Sequence, residues 1–281
     1  MLIGANSYRW LQHYRASGEQ LLDHLDEALG AAAAAGLQAW EQAGLPSDAT
    51  ATWLGRLLES HGLQMPSIYV GCRLHDGAWQ ASSDEALRQA ARGIALGARL
   101  ICVNPDPVAW GMPTDKTDEQ LERQAERLAR LGERVRAEGA RLIYHFHEPE
   151  LRQGAREAHH MLLSVPAELL GLCLDVHWAY RGCGNSNVAV RAWLKLYGDR
   201  LATLHLRQSH NGVWAETLGE GDVDYRPVVA ALQAHGFAGA LHIELGSEPG
   251  TPMTMSLAEA HRQSAVWVRE TFGLPRERAR A

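Results

Sequence analysis

Short apolar runs alternate with longer helical patterns from one end of this chain to the other, and no other feature restricts the fold as strongly. Repeated strand–helix units of this kind build a parallel sheet covered by helices. Eight strands are expected, at residues 2–5, 37–41, 64–70, 100–103, 142–147, 170–175, 201–206 and 240–244, each followed by a loop and a helix. The helices carry start signals. Ser82, Ser83 and Asp84 precede residues 85–96, and Thr117 and Asp118 precede 119–138; side-chain oxygens there accept from the free N–H groups of a first turn. Gly36, Gly97 and Gly139 stand where left-handed C-caps would return each helix to a strand. The alanines at 31–35 read as a packed helix face. No Pro/Ser-rich linker divides the series, and 281 residues suit eight units of roughly 35 residues each. The expected architecture is α/β, a single (β/α)8 TIM barrel over residues 1–274, with a frayed basic tail at 275–281.

With 46% hydrophobic and 21% charged residues, the chain has the make-up of a globular protein with a large core. Its formal net charge of -6 provides no global positive field for phosphate backbones, so nucleic acid is a disfavoured partner. Cys72, Cys102, Cys173 and Cys183 lack close ligand spacing and are few for a disulfide scaffold, as in a reduced cytoplasm. The first ten residues lack the basic segment and apolar run of a secretory signal, and no stretch approaches the roughly 18 apolar residues of a membrane span. A cytoplasmic protein without membrane contact is therefore expected, with homo-oligomerisation left open.

Strands of a parallel barrel are covered on both faces and should read as near-continuous Val, Ile and Leu. The last four break that rule. They carry His145 and His147, Asp175 and His177, His205 and Arg207, and His242 and Glu244. The members of each pair are separated by one residue, so both face the same side of the sheet. All stand at C-terminal strand ends, where catalytic groups of barrel enzymes sit. Unpaired charges there would each cost several kcal/mol, so these residues must pair with one another or hold a cation. Imidazole with carboxylate is a divalent-metal ligand set. A single inward His is more often a hydrogen-bonded core residue, but the coincidence on four consecutive strands reverses those odds. His242, one layer deeper than Glu244, reads as a support behind the ligands. Trp10, Trp110, Trp178 and Trp214 follow strand ends, where a flat apolar face suits the C–H face of a sugar and the packing of a loop equally well.

Tyr144-His145-Phe146-His147 with Glu150, then Leu174-Asp175-Val176-His177-Trp178, Leu204-His205-Leu206-Arg207, Leu218-Gly219-Glu220-Gly221-Asp222 and Ile243-Glu244 follow one another in this order. Together they resemble the sugar phosphate isomerase/epimerase group of xylose isomerase-like TIM barrels, which also holds ketose epimerases, inosose dehydratases and metal-dependent AP endonucleases. The resemblance runs over most of the chain. It implies metal ligands at His145, Asp175, His205 and Glu244. His145 stands where the ketose epimerases carry Glu, as in the Tyr-His-x-His pattern of the inosose-dehydratase-like branch, which argues against a two-glutamate epimerisation. Glu150 is placed to restore the missing carboxylate by reaching back from the loop. Trp178 and Arg207-Gln208 are further departures. Trp214 and Glu216 stand where the endonucleases need additional ligands, which disfavours DNA repair.

The expected activity is divalent-metal-dependent isomerisation or epimerisation of a sugar or keto-sugar, by proton transfer at a carbon next to a carbonyl. A metal-dependent lyase or dehydratase of a keto-sugar or inosose is the alternative, and a non-catalytic carbohydrate-binding barrel or partner subunit the second. Glu244 is the first choice of base, with His147, Glu150 and Glu216 as the other proton-handling candidates. Substrate contacts are expected from His177, Trp178, Arg207, Glu216 and Trp110. Mixed nitrogen and oxygen ligands suit manganese, cobalt or zinc better than magnesium. Carboxylates in the last two loops, Glu216, Glu220 and Glu248, would repel a phosphate, so a neutral sugar or polyol is the expected small-molecule partner. Lys116 and Lys195, the only lysines, fall in helix or loop, which excludes a Schiff-base aldolase. No dinucleotide fingerprint or Walker loop follows any strand.

Overall fold

In the computed structural model, which describes residues 1–275, the eight expected strands close into a parallel barrel. They are β1 (Leu2–Asn6), β2 (Ala39–Ala43), β3 (Ser67–Cys72), β4 (Leu100–Pro105), β5 (Arg141–Tyr144), β6 (Leu170–Asp175), β7 (Leu201–Leu206) and β8 (Ala240–Ile243), each paired with its sequence neighbours and β8 with β1. The helices are α1 (Tyr8–Ala16), α2 (Leu25–Ala34), α3 (Asp48–His61), α4 (Trp79–Ala95), α5 (Asp118–Ala137), α6 (Glu148–Ser164), α7 (Val176–Arg181), α8 (Asn187–Tyr197), α9 (Arg226–Ala234) and α10 (Leu257–Thr271). Among the described residues no helix is long and apolar enough to cross a membrane. Residues 276–281 of the expected basic tail lie outside the described residues.

Local chemistry sets most of the boundaries. Thr117 accepts from Gln120 N while the Gln120 side chain accepts from Thr117 N, a reciprocal cap that starts α5. Gly36, Gly97 and Gly139 all adopt positive φ, as expected of residues that turn a helix back into a strand. α4 departs from expectation. It begins at Trp79, because Asp76 Oδ1 accepts from Ala78 N at 3.0 Å and turns the chain early. Ser83 lies buried inside the helix, and Ser82 Oγ accepts instead from Arg73 N.

The main apolar core lies between sheet and helices, joining Ile3, Trp40, Ile68, Val103 and Leu142 to Leu29, Leu54, Leu128 and Val268. Inside the barrel the packing is different. Cys102, Ile143 and Cys173 form a small separate apolar cluster, while Glu41, Ser67, His205 and His242 are wholly buried polar neighbours of it. β1 makes room for them with Gly4, which pairs with His242 in register. A Cβ at Gly4 would lie 2.9 Å from His242 Nδ1 and 2.8 Å from Ala39, so no larger residue fits.

β5 stops at Tyr144 and β8 at Ile243, short of the expected ends at 147 and 244. His145, His147 and Glu244 therefore sit on the first residues beyond the strands. The backbone still holds them, with His145 N donating to Val103 O at 2.9 Å and Glu244 N to Leu206 O at 3.0 Å.

Candidate metal centre

Four side chains converge at the C-terminal mouth of the barrel. His145, Asp175, His205 and Glu244 each place one ligating atom so that all four atoms lie within 4.8 Å of one another. The first three are fully buried and Glu244 is 5% exposed. Asp175 ends β6 as the N-cap of α7, its Oδ1 accepting from Trp178 N at 2.7 Å, a position that Asp fills well. Its Oδ2 has no hydrogen-bond partner and lies 3.7 Å from His145 Nε2, which also has none. Buried polar atoms are almost always satisfied, and this facing pair of nitrogen and oxygen lone pairs is the arrangement a divalent cation satisfies. The residues present fit such an ion.

His205 stands between two carboxylates. Its Nδ1 is hydrogen-bonded to Glu244 Oε2 at 3.1 Å, and its Nε2 lies 2.7 Å from Glu41 Oε1. Burial alone would lower its pKa, but Glu41 and Glu244 outweigh burial and hold it well above the ordinary histidine value. Burial would likewise raise Glu244, yet Arg207 and His205 draw it well below the usual carboxylate range. Arg207 secures that residue twice, with Nε donating to Glu244 O at 2.8 Å and Nη2 lying 3.4 Å from Oε2. His145 is lowered to about 3 by burial and by His205, so its imidazole is neutral with a lone pair to give. Asp175 is raised to about 7 by burial and by Glu244.

Above the cluster opens a cavity of about 600 Å³, within the usual range for small-molecule sites. Tyr8, Tyr69, Trp110, Trp178 and Trp214 give it aromatic walls, and Asn6, Arg15, His147, Glu148, Arg207 and Glu244 add polar groups. Trp214 is delivered by a short antiparallel hairpin, Ser209–His210 against Val213–Trp214. Asp222, the last residue of the Leu-Gly-Glu-Gly-Asp run, accepts from Ser209 Oγ, Asn211 N and Gly212 N at 2.8 to 3.0 Å and thereby shapes that hairpin. The Arg207 guanidinium lies 4.2 Å from the centre of the Trp214 ring.

Several expected site residues lie elsewhere. Glu150 is neither in the cluster nor on the cavity wall; its Oε2 accepts from His147 N at 2.7 Å in the first turn of α6. Burial and Glu157 push its carboxyl up to about 7. His147 is the residue just before that helix, partly exposed on the wall, and burial and His145 depress its pKa. His177 is one residue into α7 and stands behind the wall, its ring 6.3 Å from that of Trp214. Glu216 accepts from Thr254 N, Thr254 Oγ1 and Met255 N at 2.7 to 2.9 Å, so it ties down the loop after β8 and does not reach the cavity. Trp10 packs into the core on Trp40 and His261. Glu248 is paired with Arg181 at 2.8 Å, and the charged groups on the cavity wall are Arg15, Arg207, Glu148 and Glu244.

Glu41 is the residue that sequence reasoning missed. It is a lone charge closing the otherwise mild run Leu37 to Trp40, and a charged residue at the end of a barrel strand was the available signal.

The family model of xylose isomerase-like TIM barrels matches residues 29–271. The chain belongs to this family. This xylose isomerase-like barrel is similar to inosose dehydratase from Serratia proteamaculans, with 23% identity over 244 residues that cover 78% of this chain and 80% of that protein. Among solved structures, a D-allulose 3-epimerase from Methylomonas sp. superposes with a TM-score of 0.74 at 20% identity, covering 96% of this chain and 98% of the other. A xylose isomerase-like TIM barrel protein from Mycobacterium smegmatis in complex with magnesium gives 0.72 at 15% identity, covering 96% of each chain. At such identities the structural likeness shows the fold alone.

Proposed function

We propose that this protein is a divalent-metal-dependent enzyme that moves the proton on a carbon next to the carbonyl of a keto-sugar or related polyol, with Glu244 as the base. One observation carries the reading: of the four clustered groups, only Glu244 also lines the cavity. A cation held by His145, Asp175, His205 and Glu244 would polarise the substrate carbonyl and acidify the neighbouring C–H. Two nitrogens and carboxylate oxygens suit manganese, cobalt or zinc.

The chain's own residues do the rest. Arg207 and His205 hold Glu244 ionised, which leaves it unprotonated but weakly basic, so it would take a proton only from a C–H that the cation has acidified. His147 stands on the wall as the second group able to pass a proton. Trp110, Trp178 and Trp214 offer apolar faces to the C–H side of a sugar ring, and Arg207 a donor to its oxygens.

Carboxylate count bears on the product. Epimerisation by a carboxylate on each face of the substrate needs a second clustered carboxylate that also reaches the cavity, whereas Asp175 does not line it, position 145 supplies imidazole, Glu150 is off the wall, and Glu148, though on the wall, is outside the cluster. Isomerisation on one face needs only Glu244 and is the first reading, in keeping with a fold shared with sugar epimerases. Loss of a hydroxyl from the next carbon is the second, favoured by the imidazole at 145 and by relatives described as inosose dehydratases.

Exchange in buffered D2O tests the proposal. A metal-loaded wild type should place deuterium at the α-carbon of a keto-sugar chosen from a panel. Glu244→Gln should exchange about 100-fold more slowly or worse, with metal content less affected. Equal exchange would remove Glu244 as the base. Product analysis by NMR separates an isomer from an unsaturated dehydration product.

A further inference from the structure

We infer that Glu41 is the positioning residue of the centre: by occupying the Nε2 side of His205, it fixes Nδ1 as the nitrogen that His205 turns to the metal. The inference rests on reading the four-residue cluster as a metal centre, and it adds a residue from the half of the barrel that supplies none of the ligands.

Glu41 is not itself one of the clustered ligands, although it is wholly buried. Its Oε1 lies 2.7 Å from His205 Nε2 and accepts from Asn6 Nδ2 at 2.7 Å. Its Oε2 accepts from Ser67 Oγ, and that hydroxyl is also 3.1 Å from His242 Nε2. Asn6 of β1 and Ser67 of β3 thus hold one oxygen each, with His242 of β8 behind the Ser67 hydroxyl. The other His205 nitrogen meets Glu244, a member of the cluster.

An imidazole that ligates a metal lends the lone pair of one nitrogen and keeps its proton on the other. An anionic acceptor fixed at Nε2 draws the N–H to that side and leaves the lone pair on Nδ1, facing the cluster. The 2.7 Å contact is not aligned as a hydrogen bond, so the preference it sets is electrostatic, from a carboxylate charge held beside Nε2. The choice has consequences, because His205 has another set of neighbours able to bind metal. Cys102 and Cys173 form with it a second group whose ligand atoms lie within 4.8 Å of one another. Glu41 commits the ring to the mouth and away from the thiols.

Zinc-loaded wild type with 15N-labelled histidine reads the tautomer without any substitution. His205 should show Nε2–H with Nδ1 bound, and the reverse assignment overturns the inference. Glu41→Gln, verified as folded by circular dichroism, should bind zinc about 10- to 100-fold more weakly. In a His205→Ala background the same substitution should change zinc affinity by less than about twofold, because its effect passes through the missing ring. A Glu41 that only supports the fold would lower Tm at wild-type zinc affinity, or weaken zinc equally with and without His205; either result overturns the inference. Should Glu41→Gln not fold, the wild-type spectrum decides. A wild type that takes up no zinc is a separate outcome, which fails the metal reading and this inference with it.

Discussion

Asp175 divides its carboxylate between two tasks: Oδ1 caps α7 by accepting from Trp178 N at 2.7 Å, while Oδ2, without a hydrogen-bond partner, faces His145 Nε2 at 3.7 Å. Structure and chemistry can therefore be separated by substitution. Asn at this position keeps an oxygen for the cap but loses the charge. Asp175→Asn should lower metal affinity at least about 10-fold with little change in Tm, whereas Asp175→Ala should also lose about 1 kcal/mol of cap stabilisation. Metal titration and thermal unfolding of the two variants check this, and wild-type metal affinity in Asp175→Asn would remove Asp175 from the ligand set.

The hairpin that carries Trp214 depends on Asp222. Its carboxylate receives three hydrogen bonds from residues 209, 211 and 212. Asp222→Ala removes all three acceptor contacts and should loosen the Trp214 wall by about 1–3 kcal/mol. The expected outcome is a KM raised about 10-fold with kcat and metal affinity nearly unchanged. A fall in kcat at constant KM would place Asp222 in the chemistry instead.

His261 gives a pH signature remote from the cluster. Fully buried in α10, it stacks on Trp10 at 4.0 Å and its Nδ1 lies 2.7 Å from Leu257 O. Burial lowers its pKa to about 4. An unfolded histidine titrates near 6.5, so between about 4 and 6.5 the unfolded chain binds the extra proton. The contribution is fully present above pH 6.5 and is lost as the pH falls to about 4, at up to roughly 1.4 kcal/mol per pH unit. His261→Phe keeps the ring stack and should flatten the stability profile in that window, as read by urea unfolding. An unchanged slope would show that other groups govern it.

Strand positions and the cluster were legible because they rest on different rules, one obeyed and one broken. Apolar runs at regular spacing gave the eight strands, and the paired His, Asp and Glu side chains at the last four strand ends marked the mouth. Glu41 had no companion two residues away and so passed as the end of a strand. Tyr8 and Tyr69 line the cavity as well, and no spacing in the sequence singles them out. Glu216 was misplaced because its loop folds onto Thr254 and Met255, and sequence spacing cannot say which way a long loop closes. Glu150 instead turns back along its own helix end, where its carboxylate accepts from the N–H of His147, the residue that precedes α6.

The contact of Gly4 with His242 joins the first strand to the last, and Ser67 links that histidine to Glu41. The chain from β5 to β8, made alone as a fragment, would contain all four ligating side chains and still lack the groups that aim one of them. Its His205 would have no carboxylate behind it, and its His242 no hydroxyl. The centre is therefore complete only in the closed barrel, where the first three strands bring Asn6, Glu41 and Ser67 up behind side chains carried by the last four.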